Sequence, residues 1–262
     1  MCDTCGCNVT PGNEHLVQAG GKLASTSSGH DSVEVLHGLL HENDHQAHHN
    51  REHFERHGVL AINLMSSPGS GKTRLLEATI DHLGRDHRIA VVEGDLETER
   101  DAMRIREKGV PAIQITTGSA CHLDAHMVHY ALHQLDLDEV DILFIENVGN
   151  LVCPASFDLG QQLNVVLLSV TEGDDKPAKY PVMFRAADAV VMSKADLLPY
   201  LGDFEPDRAR RHLRDLANAA SLFELSAQTG EGFDAWCSWL LAQIPQRDQT
   251  AVGERTVAAN YA

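Results

Sequence analysis

From residue 59 onward, apolar runs alternate with stretches of helical periodicity. The runs occupy 59–65, 88–93, 111–115, 141–145, 164–170, 188–192 and 221–225. The periodic stretches follow residue 73, where Leu75, Leu76, Thr79, Ile80 and Leu83 recur at helical spacing, and continue at 100–108, 121–134, 206–219 and 233–244. This alternation predicts an α/β fold: a mainly parallel central sheet covered by helices on both faces, with ligands at the carboxyl ends of its strands. Residues 58–245 carry the pattern, and the flanks do not. Residues 1–57 hold too little apolar content for a core and read as a flexible Cys/His-rich arm, and 246–262 read as a disordered tail.

Between the first strand and the first helix lies SSPGSGKT, residues 66–73. A strand, a Gly-rich turn and a helix start form a phosphate cradle, in which backbone N–H groups and the helix N-terminus face an anion. The fold class is therefore a P-loop NTPase with a flexible N-terminal arm. Ser67, Gly69, Ser70, Gly71, Lys72 and Thr73 are the expected phosphate contacts, Lys72 reaching the β/γ-phosphates and the Thr73 hydroxyl binding Mg²⁺. Ser66 stands where the motif has glycine, and serine fits if its backbone stays out of the left-handed region.

SKAD, residues 193–196, follows the apolar run 188–192. Asp196 there can accept two hydrogen bonds from guanine, a donor pair adenine lacks, while the Lys194 stem packs along the base. Ser226 and Ala227, after the last predicted strand, complete the expected base site. GTP is thus the expected nucleotide, with an ATP-dependent small-molecule kinase as the rival reading of the same phosphate loop. Asp95 and Glu146 end the strands beside the loop and are the expected Mg²⁺ and catalytic carboxylates together with Lys72. Gly149 offers a backbone N–H to the γ-phosphate. No glutamine follows it to orient water, so GTP hydrolysis to GDP and phosphate is expected to be slow.

Charge and composition narrow the partners. A formal net charge of −17 argues against a nucleic acid or an anionic membrane surface and favours cations. No apolar run reaches membrane-span length and no export signal opens the chain, so a cytoplasmic site with reduced thiols is expected. Six cysteines in such a setting read first as metal ligands. Cys2, Cys5 and Cys7 form C-x-x-C-x-C, suited to a soft or square-planar divalent ion. Cys121 and His122, expected to begin a helix, could join Cys153 on the loop beyond Gly149 to hold Zn²⁺ or Ni²⁺. Cys237 shares a stripe with Phe233, Trp236, Leu240, Leu241 and Ile244 and is assigned to the core. His37, His41, His45, His49, His53 and His57 are spaced by four, with His48 added, and would form an imidazole stripe on a helix. His126, His129 and His133 repeat the spacing and are read as ordinary surface.

Taken together, the N-terminal CxxCGC, the His-rich segment, SSPGSGKT, GDLETERDAMRI, TTGSACHLDA, ENVGNLVCPASFDLG, EGDDKPAKYP and SKADLLP resemble the HypB family of hydrogenase nickel-incorporation GTPases across nearly the whole chain. The resemblance implies a GTP-dependent homodimer, tight nickel at Cys2, Cys5 and Cys7, and a weaker Ni/Zn site at Cys121, His122 and Cys153. It also implies a HypA-like nickel accessory partner and delivery to the hydrogenase large subunit. The alternatives are a nickel buffer with an incidental GTPase domain and the related urease-accessory GTPase, which lacks the N-terminal thiol motif.

Overall fold

The structure is a computed structural model describing residues 16–19, 22–25, 30–97, 99–118, 120–216 and 219–245. Strands β1 (Leu16–Ala19) and β2 (Lys22–Ser25) pair antiparallel as a separate two-stranded unit. The main sheet has seven strands: β3 (Leu60–Ser66), β4 (Ile89–Asp95), β5 (Ala112–Thr116), β6 (Ile142–Glu146), β7 (Leu163–Ser169), β8 (Ala189–Ser193) and β9 (Ser221–Glu224). They are all parallel, in the order β5-β4-β6-β3-β7-β8-β9. The chain leaves β3 toward one edge, returns through β6, and crosses β3 to build the other edge. The phosphate loop therefore follows the strand where the winding reverses, the place where open α/β sheets bind ligands.

Period-two alternation splits the strands' apolar residues between two faces. Leu60, Ile62 and Leu64 of β3, Val91 of β4 and Phe144 of β6 pack under α2 (Lys72–Leu83), α3 (Arg100–Glu107) and α8 (Phe233–Gln243). Trp236 is fully buried there and donates its indole N–H to Thr79 Oγ1 at 3.0 Å. Cys237 lies in the same layer, where burial pushes its thiol up to about 11. On the opposite face, Ala61, Val92, Leu143 and Ile145 meet α1 (His30–His57) and α4 (Ala125–Leu132), while the short α5 (Lys176–Lys179) lies against α6 (Pro181–Arg185) and α7 (Pro206–Asp215), which Val166, Leu168, Val190 and Met192 meet as one further apolar layer.

The expected boundary at residue 57 is corrected. From about residue 40, α1 belongs to the folded unit: Ala47, Asn50 and Phe54 are fully buried, and Asn50 Nδ2 donates to the carbonyls of Ala125 and Leu159 at 2.8 and 3.0 Å. Arg51 Nη2 adds an ion pair that reaches both carboxylate oxygens of Asp158, at 2.7 and 3.0 Å. Two buried apolar residues, Ala47 and Phe54, and two specific hydrogen-bonding side chains, Asn50 and Arg51, dock this segment, too few for composition to register. A second correction concerns α4, which starts at Ala125 and not at Cys121, because Asp124 is its N-cap and accepts from Met127 N at 2.8 Å. Cys121 and His122 therefore sit on a loop. The first fifteen residues, with Cys2, Cys5 and Cys7, and the tail from 246 lie outside the described residues, and no described helix is long and apolar enough to cross a membrane.

Candidate nucleotide and metal site

The phosphate loop runs from buried Ser66 into α2. Gly69 and Gly71 take φ of +76° and +96°, angles that L side chains rarely adopt. Among the described residues Lys194 alone is a non-glycine with positive φ, so Ser66 stays in ordinary backbone space. Its hydroxyl accepts from Lys72 Nζ at 3.2 Å. Ser67 and Ser70 both donate their hydroxyls to the Glu172 carboxylate, so the loop's side-chain donors already face an anionic group.

Alternation along β4 and β6 decides which carboxylates enter the site. Glu93 and Glu146 are register partners across the two strands, and both point to the face covered by α2. Both are buried. Glu146 Oε1 accepts from Thr73 Oγ1 at 3.0 Å and lies 3.9 Å from Lys72 Nζ. Burial, then the like charge of Glu146, pushes Glu93 up to about 11. Burial also raises Glu146, opposed by Lys72 and by hydrogen bonds from Glu93 and Thr73. One oxygen of each carboxylate is buried with no hydrogen-bond partner. Two orphaned acidic oxygens beside a phosphate loop's threonine fit a hard divalent cation such as Mg²⁺. Asp95 lies two residues beyond Glu93 on the same face, at the half-exposed end of β4 opposite Thr116. Glu93 is thus the carboxylate that sequence reading missed. Its signal was an acid inside an apolar strand, two residues before Asp95 and level with Glu146.

The residues expected to hold the base come together on a cleft of about 240 Å³, whose lining includes Gly71, Lys194, Asp196, Leu197, Ser226 and Ala227. Ser193 is the hinge of this cleft: its hydroxyl donates to the Ser70 carbonyl at 2.7 Å, and Lys194 Nζ donates to the Gly69 carbonyl at 2.7 Å. Ser193 and Lys194 thus fasten the base cleft to the phosphate loop. Ser226 has a framework task, its Oγ accepting from the N–H groups of Gln228 and Thr229 at 3.2 and 3.1 Å.

On the other side of the sheet edge, Cys121, His122 and Cys153 converge with their ligand atoms within 4.8 Å of one another. The two sulfurs are 3.2 Å apart, well beyond a disulfide's ~2.05 Å. Two thiolates at ~2.3 Å from one ion and at right angles to it would stand about 3.3 Å apart, so the pair suits a shared divalent ion. The His122 ring is buried against Phe157, with centroids 3.9 Å apart.

The sites share one strand end. Glu146 faces the phosphate loop, whereas its neighbour Asn147 projects to the opposite face, since successive side chains alternate. Asn147 Oδ1 accepts from Leu123 N at 3.1 Å and Nδ2 donates to Asn63 at 3.2 Å. Asn150 Nδ2 donates to the Cys121 carbonyl at 3.2 Å. Gly149 lies against the phosphate loop so closely that a Cβ there would meet Pro68 Cα at 2.8 Å. Neither asparagine was singled out from sequence, because only the folded loop shows what an isolated Asn bonds.

Residues 60–224 match the family model described as CobW/HypB/UreG, nucleotide-binding domain. The chain is 53% identical over 205 residues to hydrogenase maturation factor HypB of Azotobacter vinelandii, covering 78% of this chain and 67% of that one. The chain belongs to the HypB family. Hydrogenase/urease maturation factor HypB of Helicobacter pylori is 46% identical, covering 83% of this chain and 90% of its own. A crystal structure of HypB from Helicobacter pylori in complex with nickel superposes with a TM-score of 0.74 at 44% identity, over 79% of this chain and 99% of that one. Membership makes this chain a hydrogenase maturation factor of a P-loop GTPase family, with a nucleotide-binding domain on the parallel sheet described above.

Proposed function

We propose that this HypB-family chain is a GTP-hydrolysing nickel metallochaperone that takes up Ni²⁺ and passes it on during [NiFe]-hydrogenase maturation. The observation that carries the reading is the segment from Glu146 to Cys153, which touches the phosphate loop at Gly149, holds the Cys121 loop through Asn147 and Asn150, and ends in a metal-ligating thiol. One segment biased by both γ-phosphate and metal is a two-state element that can couple them.

Asp196 selects guanine by accepting from N1–H and the 2-amino group, with the Lys194 stem along the base and Ser226 and Ala227 closing the cleft. Ser67, Gly69, Ser70, Gly71, Lys72 and Thr73 hold the phosphates, and Lys72 neutralises charge at the β/γ bridge. Thr73, Glu146 and Glu93, with Asp95 further out, would hold Mg²⁺, which when bound spreads the charge of the transferring phosphoryl group. Turnover is slow because Asn150 and Leu151 follow Gly149, and neither is placed as a glutamine would be to aim water. The cargo site is Cys121, His122 and Cys153, whose ligand types accept Ni²⁺ or Zn²⁺, and Cys2, Cys5 and Cys7 form a second nickel site on the arm. The GTP state closes a homodimer, and transfer runs between a HypA-like accessory protein and the hydrogenase large subunit. The name of the Helicobacter pylori relative favours urease as a second client, and nickel transfer to apo-urease measured beside transfer to the large subunit separates the two.

The test is titration of Ni²⁺ into the wild type and a Cys2/Cys5/Cys7→Ser triple variant with GDP or a non-hydrolysable GTP analogue bound. The variant should retain a thiolate-bound nickel equivalent, read by its sulfur-to-nickel charge-transfer absorption, whose affinity differs at least about fivefold between nucleotides, a coupling of typical size. Linkage requires nickel to shift analogue affinity by the same factor. Equal affinities in both states reject the coupling, and displacement of GDP by ATP rejects the guanine assignment.

A further inference from the structure

The histidines that sequence pattern leaves on the surface of α4 meet the histidine stripe of α1. His129 and His133, one helical turn apart, bring their Nε2 atoms to 3.2 Å. The His53 ring of α1 stands 6.0 Å, centroid to centroid, from that of His129. His129 Nδ1 is buried and has no hydrogen-bond partner, so no carbonyl or carboxylate holds this imidazole as one would a structural histidine. Histidines with ordinary roles look different: His57 Nδ1 pairs with Asp138 at 2.8 Å, and His82 Nδ1, on the far face of the sheet, with the Ala78 carbonyl at 2.8 Å.

We propose that His53 with His129 and His133 form a further metal site, bridging α1 and α4 and taking a divalent cation of the Ni²⁺/Zn²⁺ class through imidazole nitrogens alone. Two nitrogens bound at ~2.0–2.1 Å to one tetrahedral ion lie about 3.3 Å apart, close to the spacing that His129 and His133 already hold. Three imidazoles leave a coordination position for water or an incoming ligand. Burial, then positive neighbours, holds His53 and His129 below the ordinary imidazole range, which favours the neutral ligating form. The anchoring is independent of the metal: Asn50 and Phe54 dock α1 beside this pair, so the helices need no ion to meet. The strongly acidic chain raises the local concentration of cations. The site is distinct from the Cys121/His122/Cys153 set, which contains none of its residues.

The experiment is a Co²⁺ titration of the full chain without nucleotide. Cobalt on thiolates gives sulfur-to-metal charge-transfer absorption and cobalt on imidazoles alone does not, so the equivalents separate spectrally. Wild type should show a sulfur-free equivalent that His129→Gln/His133→Gln lacks, and His53→Gln should weaken it at least about tenfold. Zn²⁺ should raise the melting temperature of wild type more than that of either variant, as binding to the folded state requires. His133 is exposed, so His133→Gln alone supplies the same comparison if the double variant fails to fold. Retention of the sulfur-free equivalent at unchanged affinity in the α4 variants overturns the site, and an unaffected His53→Gln overturns the bridge. Neither outcome touches the GTP-linked reading, which is measured at the thiolates.

Discussion

Gly149 and Ser193 show how single residues set the nucleotide site. A methyl at 149 would collide with the backbone of Pro68, so Gly149→Ala must lift the 146–153 segment from the phosphate loop. Affinity for a GTP analogue should fall at least about tenfold, ~1.4 kcal/mol, in calorimetric titration while GDP affinity changes less. Unchanged analogue affinity would show that this contact does not report the γ-phosphate. At 193 the hydroxyl bonds the Ser70 carbonyl in a buried position. Ser193→Ala leaves that carbonyl unpaired at a cost of about 1–3 kcal/mol, which should appear as weaker GDP binding, and Ser193→Thr should restore it. If alanine binds GDP as tightly as serine does, the link between base cleft and phosphate loop carries no energy.

Among the elements, α1 and α7 make separable contributions. The two carbonyls that Asn50 satisfies belong to the start of α4 and to the 146–160 loop's end. Asn50→Ala should therefore destabilise the fold by about 2 kcal/mol in denaturant unfolding, and a loss under ~0.5 kcal/mol would mean that α1 is not part of the cooperative unit. α7 is tied by Arg208, whose Nε donates to Asp174 at 2.7 Å, with Glu205 N donating to the same carboxylate at 2.7 Å. Burial alone would raise Asp174, but these bonds outweigh it and hold its carboxyl below the usual value. A depressed folded value means stability present above the unfolded value, about 3.9, and lost as pH falls through the folded one. Wild type should lose more stability than Arg208→Ala on acidification below about pH 4, read from melting temperatures, and parallel curves would remove Asp174 from the acid response.

For the whole molecule, the proposed function depends on two faces of one sheet sharing an edge. Glu146 and Asn147 are adjacent in sequence and act on opposite sides, one toward Thr73 and Lys72, the other toward the Cys121 loop. Asn147→Ala should leave the carboxylate pair and the thiols in place but unfasten the loops from each other. The nucleotide dependence of nickel affinity should then shrink toward unity while each ligand still binds, since coupling needs a shared element. Persistence of the full coupling in this variant would place the connection elsewhere.

Sequence by itself determined the parallel α/β architecture, the succession of the seven sheet strands along the chain, the phosphate loop and the residue types of the candidate thiol and imidazole set. These follow from periodicity and from chemistry that needs particular residue types at short spacing. Tertiary structure alone decided that Glu93 faces Glu146, that Asn147 and Asn150 fasten the metal loop, that Ser193 reaches the phosphate loop, and that α1 docks so His53 meets His129. The physical reason is common to all four. Strand register and helix docking bring together residues 24 to 123 positions apart, and a polar side chain's partner is fixed by that distant geometry and not by its own neighbours in the chain.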